Sequence, residues 1–133
     1  MVRKTRGGRK GFTLVELMTV VIIVGILAVI SVPLYRAQVD KARAAEGAAL
    51  LGSVLTAQKV YYAEHKSYTD DQDELGVDTT GNKYFKAYDV TDKADDSFKA
   101  ETIGTGVAST IKVRMEYTNG GGAELYYDYN YEE

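Results

Sequence analysis

The sequence predicts an α+β chain: a long N-terminal helical spine, with a membrane half and an amphipathic half, packed on a small antiparallel sheet of three to four strands. Three observations predict it. Residues 12–32 form one apolar run with a single charge, apolar residues beyond Pro33 recur at helical spacing, and four β-rich runs separated by breakers follow from Tyr84 onward.

The run Phe12–Val32, FTLVELMTVVIIVGILAVISV, carries only Glu16 as a charge. At about 1.5 Å per residue, a helix of this length crosses roughly 30 Å of hydrocarbon. Arg3, Lys4, Arg6, Arg9 and Lys10 precede it with no acid among them. Such a cluster stays on the cytoplasmic side, which places the chain after Pro33 across the membrane. A cleaved secretory signal shares the basic start and apolar core. It fits less well, because this run is longer than the usual core, holds a carboxylate and is followed by VPLYRAQ, without a small-x-small site.

Past Pro33, Val39, Ala42, Ala49, Leu50, Val54, Ala57 and Tyr61 trace an apolar stripe, with Arg36, Asp40, Arg43, Lys59 and Glu64 opposite. The pattern predicts one helix from Thr13 to about His65, near 80 Å long. It should bend at Pro33, where an amide donor is missing and the ring crowds the preceding turn. Gly25 is a second place where the helix can yield, or where another helix can approach closely; the two roles are compatible.

The stretch HKSYTDDQD ends the helix, with Thr69 as a cap for a short turn running to Leu75 and Gly76 as its stop. Strands are predicted at Tyr84–Val90, Ser97–Ile103, Thr110–Thr118 and Glu124–Tyr131. Their connections are rich in Asp, Asn and Gly, so neighbours in sequence should pair antiparallel. Alternation places Ile111, Val113, Met115 and Tyr117 on the face that covers the upper helix.

Composition removes several function classes. The chain has 133 residues and a formal charge of -3, which divides into a basic start and a remainder of eleven basic against nineteen acidic side chains. That acidic remainder repels phosphate backbones, so general nucleic-acid binding is not expected. There is no cysteine, hence no disulfide, thiolate nucleophile or cysteine-ligated zinc. Asp70, Asp71, Asp73 and Glu74 resemble a calcium loop only superficially. Leu75 stands where an EF-hand needs an oxygen ligand and Asn82 where it needs its closing glutamate. His65 is the only histidine and suits a helix C-terminus better than a catalytic or zinc site. No catalytic residue, cofactor or metal is expected. Of the eleven tyrosines, strand propensity accounts for most, and alternation puts Tyr127, Tyr129 and Tyr131 on one face as a candidate adhesive or subunit-facing patch.

The block Arg9, Lys10, Gly11, Phe12, Thr13, Leu14, Val15, Glu16, Leu17 resembles the cleavage and methylation signature of type IV prepilins. The resemblance implies that a membrane prepilin peptidase cuts between Gly11 and Phe12 and methylates the new amine of Phe12. The apolar helix lies after the cut and is retained. Glycine before the bond lets extended backbone lie close in a protease cleft. Taken alone, Gly11 reads more readily as part of a flexible basic linker, and only its setting in this block reverses that.

A carboxylate in a membrane helix costs at least about 2.5 kcal/mol and calls for a partner or a function. The resemblance implies that Glu16 attracts the Phe12 amine of a neighbouring subunit and sets the stagger of a fibre. The rival is a glutamate near the interface that snorkels to headgroups.

The implied organisation is a leader over 1–11, an assembly helix over 12–33, an amphipathic half over 34–66 and a loop-and-sheet head over 67–133. The implied life is a single-pass precursor in the inner membrane, then an extracellular pilus or periplasmic pseudopilus. Its partners would be further copies of itself in a helical filament, the peptidase, the pilus assembly machinery and lipid. Within the family, the alternatives are a minor pilin or a type II secretion pseudopilin. From another class comes a membrane-tethered binding module that never polymerises, with an enzyme more distant.

Overall fold

The structure, a computed structural model, describes residues 11–132. Two compact units divide the chain after Arg36. In the first, helix α1 (Leu14–His65) begins and runs unbroken through Gly25 and Pro33. Every side chain of residues 11–36 is exposed, so the apolar run finds no cover within its own chain.

The second unit holds the rest of α1, a single turn α2 (Gln72–Leu75) and strands β1 (Asp89–Thr91), β2 (Ser97–Ile103), β3 (Lys112–Thr118) and β4 (Gly122–Asp128). The strands pair antiparallel in the order β1-β2-β3-β4, as the breaker-rich connections predict. Gly120 and Gly122, at φ 84° and 94°, turn β3 into β4 in a backbone region that side chains disfavour.

α1 packs on the sheet through Ala44, Leu50, Leu51 and Val54, which meet Phe85, Phe98, Ile111, Val113 and Met115 in one buried cluster. The predicted β3 face, Ile111, Val113, Met115 and Tyr117, is buried. The helical stripe is rotated from the predicted one. Ala42 and Ala49 are exposed, whereas Ala44, Gly47, Leu51 and Gln58 are buried. The seam follows shape as well as hydropathy: a Cβ on Gly47 would stand 3.0 Å from Phe85 Cε1 and Val113 Cγ2, so only glycine lets the helix come this close. Gln58 is fully buried and tolerated there because its amide donates to Thr69 O at 2.5 Å and accepts from Thr69 N at 3.1 Å. That pair ties the helix to the loop that follows it. Tyr68 packs beside Phe98, Tyr62 and Tyr117, and burial with the neighbouring Tyr117 pushes its hydroxyl up to about 12.

Several boundaries differ from the sequence reading, among them the start of β3 at Lys112 in place of Thr110, since Ile111 N turns back to donate to Ala108 O at 2.9 Å. The predicted strand Tyr84–Val90 shrinks to Asp89–Thr91 because its first residues hydrogen-bond elsewhere. Tyr84 N and Phe85 N donate to Glu46 Oε1 at 2.6 and 3.0 Å, and Tyr84 O accepts from Thr105 N at 2.8 Å. The last strand is Gly122–Asp128, not Glu124–Tyr131: it starts at the turn and ends where Asp128 accepts from Asn130 N at 2.9 Å. The cap of α2 is Asp71, whose Oδ1 accepts from Asp73 N at 2.9 Å. Thr69, the predicted cap, instead bonds Asp71 N and Glu74 Oε2. Gly76 stops the turn at φ 58°, as predicted.

Glu46 is the chief polar brace across this unit. Its carboxyl loses water on packing, which raises its pKa, but the amides of Phe85 and Tyr84 outweigh that and hold it below the usual carboxylate range. A depressed folded pKa gives stability that is complete above the unfolded value near 4.5 and fades as pH falls through the folded one. Glu46→Ala should therefore lower unfolding free energy by about 2 kcal/mol at neutral pH, with a smaller difference under acid conditions. Thermal melts of the full chain in detergent at pH 7 and pH 3 check both.

Candidate functional site

The first turn of α1 is a capping box. Thr13 occupies the N-cap, and Glu16 N donates to its Oγ1 at 3.2 Å. Glu16 Oε2 reaches back to accept from Thr13 N at 2.8 Å and from Thr13 Oγ1 at 2.9 Å. Glu16 is thus fixed locally before any partner arrives. The T-x-x-E spacing was visible in the sequence as this motif, yet the apolar setting drew attention only to the charge.

The remaining polar side chains of the run are also satisfied. Thr19 Oγ1 donates to Val15 O at 2.9 Å and Ser31 Oγ donates to Leu27 O at 2.7 Å. Together with the Thr13–Glu16 box, these bonds account for every polar side chain of residues 12–32. The surface left over is apolar, from Phe12, 84% exposed, through Val32. Such a helix can enter hydrocarbon without stranding a side-chain donor, at the cost of one carboxylate. Among the described residues it is the one helix long and apolar enough to cross a membrane.

Gly11 and Phe12 precede the helix, with open space around Gly11 for any approaching surface. A Cβ at Gly25 would likewise meet nothing within 4 Å, so no packing inside the chain calls for glycine there. Pro33 lies inside α1, one turn before the second unit begins. The basic leader, including Arg3, Lys4, Arg6, Arg9 and Lys10, lies outside the described residues.

The other conspicuous clusters have structural work. Asp70 pairs with Lys93, Asp71 caps α2, and Glu74 accepts from Thr69. His65 is the last residue of α1. Its ring stacks on Tyr61 at 4.1 Å and its Nδ1 lies 3.2 Å from Tyr61 O. The tyrosine patch separates into two. Tyr127 and Tyr129 stack with centroids 6.4 Å apart, whereas Tyr131 packs over Lys112 Nζ at 4.8 Å because the strand has ended before it. On the other face, Tyr126 covers Arg114 at 5.9 Å.

Comparison with known proteins matches these features at both ends. Residues 6–32 match the family described as "Prokaryotic N-terminal methylation motif", and residues 33–111 match "Type IV minor pilin ComP, DNA uptake sequence receptor". A fimbrial protein of Dichelobacter nodosus is 35% identical over 118 residues, which cover 87% of this chain and 71% of that one. The type IV major pilin PilA of Myxococcus xanthus is 40% identical over 76 residues, 56% of this chain but only 34% of its own length. The type IV major pilin PilE1 of Neisseria gonorrhoeae is 34% identical over 109 residues, covering 78% of this chain and 64% of PilE1.

Proposed function

This chain belongs to the type IV pilin family, a family of structural subunits and not of enzymes, and on that premise we propose that it is a filament subunit made as a membrane-anchored precursor. A prepilin peptidase cuts between Gly11 and Phe12 and methylates the Phe12 amine. The precursor sits in the inner membrane by residues 12–33, with its cationic start in the cytoplasm and the head on the far side. A pilus machine then moves the helix from lipid into a helical filament of identical copies, a pilus outside the cell or a pseudopilus in the periplasm.

The carrying observation is the wholly uncovered apolar helix whose polar side chains are all bonded within it. Lipid and the same helix on other copies offer equivalent apolar surroundings, so exchange between them is nearly neutral and small specific contacts decide it. Glu16 supplies one such contact toward the Phe12 amine of a neighbour. Gly25 and Pro33 supply places where the rod can bend or loosen to fit the fibre core.

N-terminal sequencing and intact mass of the mature chain test this reading. The expected start is methylated Phe12. A mature chain that begins at Met1 would favour the non-polymerising membrane tether instead.

The match of residues 33–111 to a minor-pilin family favours a second reading, a low-copy subunit that initiates or decorates the fibre. Retention of Glu16 fits a shaft-competent subunit. Copy number in isolated fibres separates the two. That family's description also raises DNA as a ligand, but residues 37–133 carry eighteen acidic against ten basic side chains, and four of those ten are already paired. Lys93 pairs with Asp70, Lys99 with Asp92 and Glu116, Lys112 with Glu101, and Arg43 with Asp40. Duplex DNA is therefore expected not to shift in the presence of the purified protein at physiological salt. A tight complex in the same gel assay would reassign the head as a DNA receptor.

A further inference from the structure

The sheet is wider than the helix that covers it. Val113, Met115 and Tyr117 of β3 enter the core, and their register partners Tyr127, Leu125 and Ala123 lie on the same side of the sheet. Yet Leu125 is 41% and Tyr127 45% exposed, and no residue of β4 is buried. Tyr129 extends this face by stacking on Tyr127. With Ala37, Asp40, Lys41 and Asn130 it lines a hollow of about 300 Å³. The inner face of β4 is thus left partly uncovered beside α1, an open groove that deepens into this hollow at its Tyr129 end, where Asp40 is already paired with Arg43.

Each end of the groove has a cation. Lys41 lines the hollow, and Lys59 lies over the Tyr117 ring at 5.2 Å. The two are about 27 Å apart along a regular helix. Among the described residues neither makes an ion pair. The acids of β4 turn to the other face, with Glu124 and Asp128 in register with Glu116 and Lys112.

The opposite edge of the same sheet has the complementary character. α2, β1 and the β1–β2 turn are joined there by Gln72 Nε2 donating to Asp89 Oδ1 at 3.2 Å and by the Lys93–Asp70 pair. Residues 67–96 contain nine carboxylates and three lysines. Asp95 and Asp96, at the tip of the turn, are exposed and form no ion pair among the described residues.

We infer that the groove of one copy receives the acidic β1 edge of a second copy, with the Asp95–Asp96 turn set against one of the groove's two lysines. The two surfaces lie on opposite edges of one sheet, so the contact is head-to-tail. A head-to-tail contact repeats from copy to copy and need not close after two. Charge complementarity sets the register, and the apolar floor of Leu125, Tyr127 and Tyr129 gives the contact area. The inference rests on the filament reading and adds to it a lateral contact between heads, separate from the packing of the apolar helices.

The absence of cysteine makes the test clean. Asp95→Cys is combined in turn with Lys41→Cys and with Lys59→Cys in the full chain, and sheared fibres are treated with a short bismaleimide. The expected result is a ladder of covalent multimers in at least one double variant and none in the single variants. In parallel, Lys41→Glu with Lys59→Glu should reduce fibre yield about tenfold, and adding Asp95→Lys with Asp96→Lys should restore it. Fibres that form normally but give no ladder with either pair overturn the contact and leave the filament reading standing. If the cysteine variants assemble poorly, the charge swap decides: no recovery overturns the contact. Absence of this chain from fibres of unmodified cells would instead overturn the filament reading itself.

Discussion

Glu16→Ala should leave the amount of membrane-inserted precursor unchanged while fibre yield falls by more than about tenfold. Removing the carboxylate makes insertion easier, since its penalty in hydrocarbon disappears. On the proposed route, the Phe12 amine that cleavage would create would enter a low-dielectric core without its counter-charge, which disfavours assembly. The alanine change also dismantles the Thr13–Glu16 box and so loosens the helix at this end. Glu16→Gln separates the two effects, because an amide can complete the box without carrying charge. Equal loss of fibres in both variants assigns the effect to charge. Loss in the alanine variant alone assigns it to the cap, and normal fibres in both remove the register argument. Quantifying sheared fibres against membrane-bound subunit by immunoblot reads all three.

Gly104→Ala should destabilise the head by about 3 kcal/mol, a fall of roughly 15 °C in melting temperature for a unit of this size. The position has no positive φ, so the reason is space. A Cβ there would stand 2.2 Å from Ala108 O and 2.8 Å from Ala108 C. Both are backbone atoms, and neither can rotate away. The loop is held on three sides by Gly104 N donating to Ile111 O at 2.9 Å, Thr105 N to Tyr84 O at 2.8 Å, and Ile111 N to Ala108 O at 2.9 Å. Relief of the clash must break part of that set or push Ala108, which is fully buried, out of the core. Gly81→Ala is the matched control, because a Cβ there meets nothing within 4 Å and the change should be nearly neutral. Near-ultraviolet circular dichroism melts of the full chain in detergent compare them.

The sequence disclosed whatever was written in local pattern. The helix ends at His65 as its spacing foretold, β2 occupies Ser97–Ile103, and Ile111, Val113, Met115 and Tyr117, which alternation selects, are all buried. What it concealed depends on partners distant along the chain. Tyr84 and Phe85 have strand composition, but their amides are claimed by Glu46, thirty-eight and thirty-nine positions earlier, and a carboxylate is not a strand. Gln58 and Gly47 lie outside the apolar stripe picked out in the sequence. One is buried by an amide latch and the other by close approach of Phe85 and Val113. At the candidate site, the residues were legible and their mutual geometry was not: Glu16 stood out as a charge among apolar neighbours, while its bonds to Thr13 needed coordinates.

The order β1-β2-β3-β4 bears on how quickly the head forms. Each strand pairs only with its neighbour along the chain, so loop-closure entropy is low for every pairing in the sheet. The long-range steps are the docking of α1 on the sheet, through Ala44 to Val54 against Phe85 to Met115, and the Glu46 brace. Local strand pairing of this kind favours early closure of the sheet, and with no cysteine there is no oxidation step to wait for. The sheet can close strand by strand in oxidising or reducing surroundings alike.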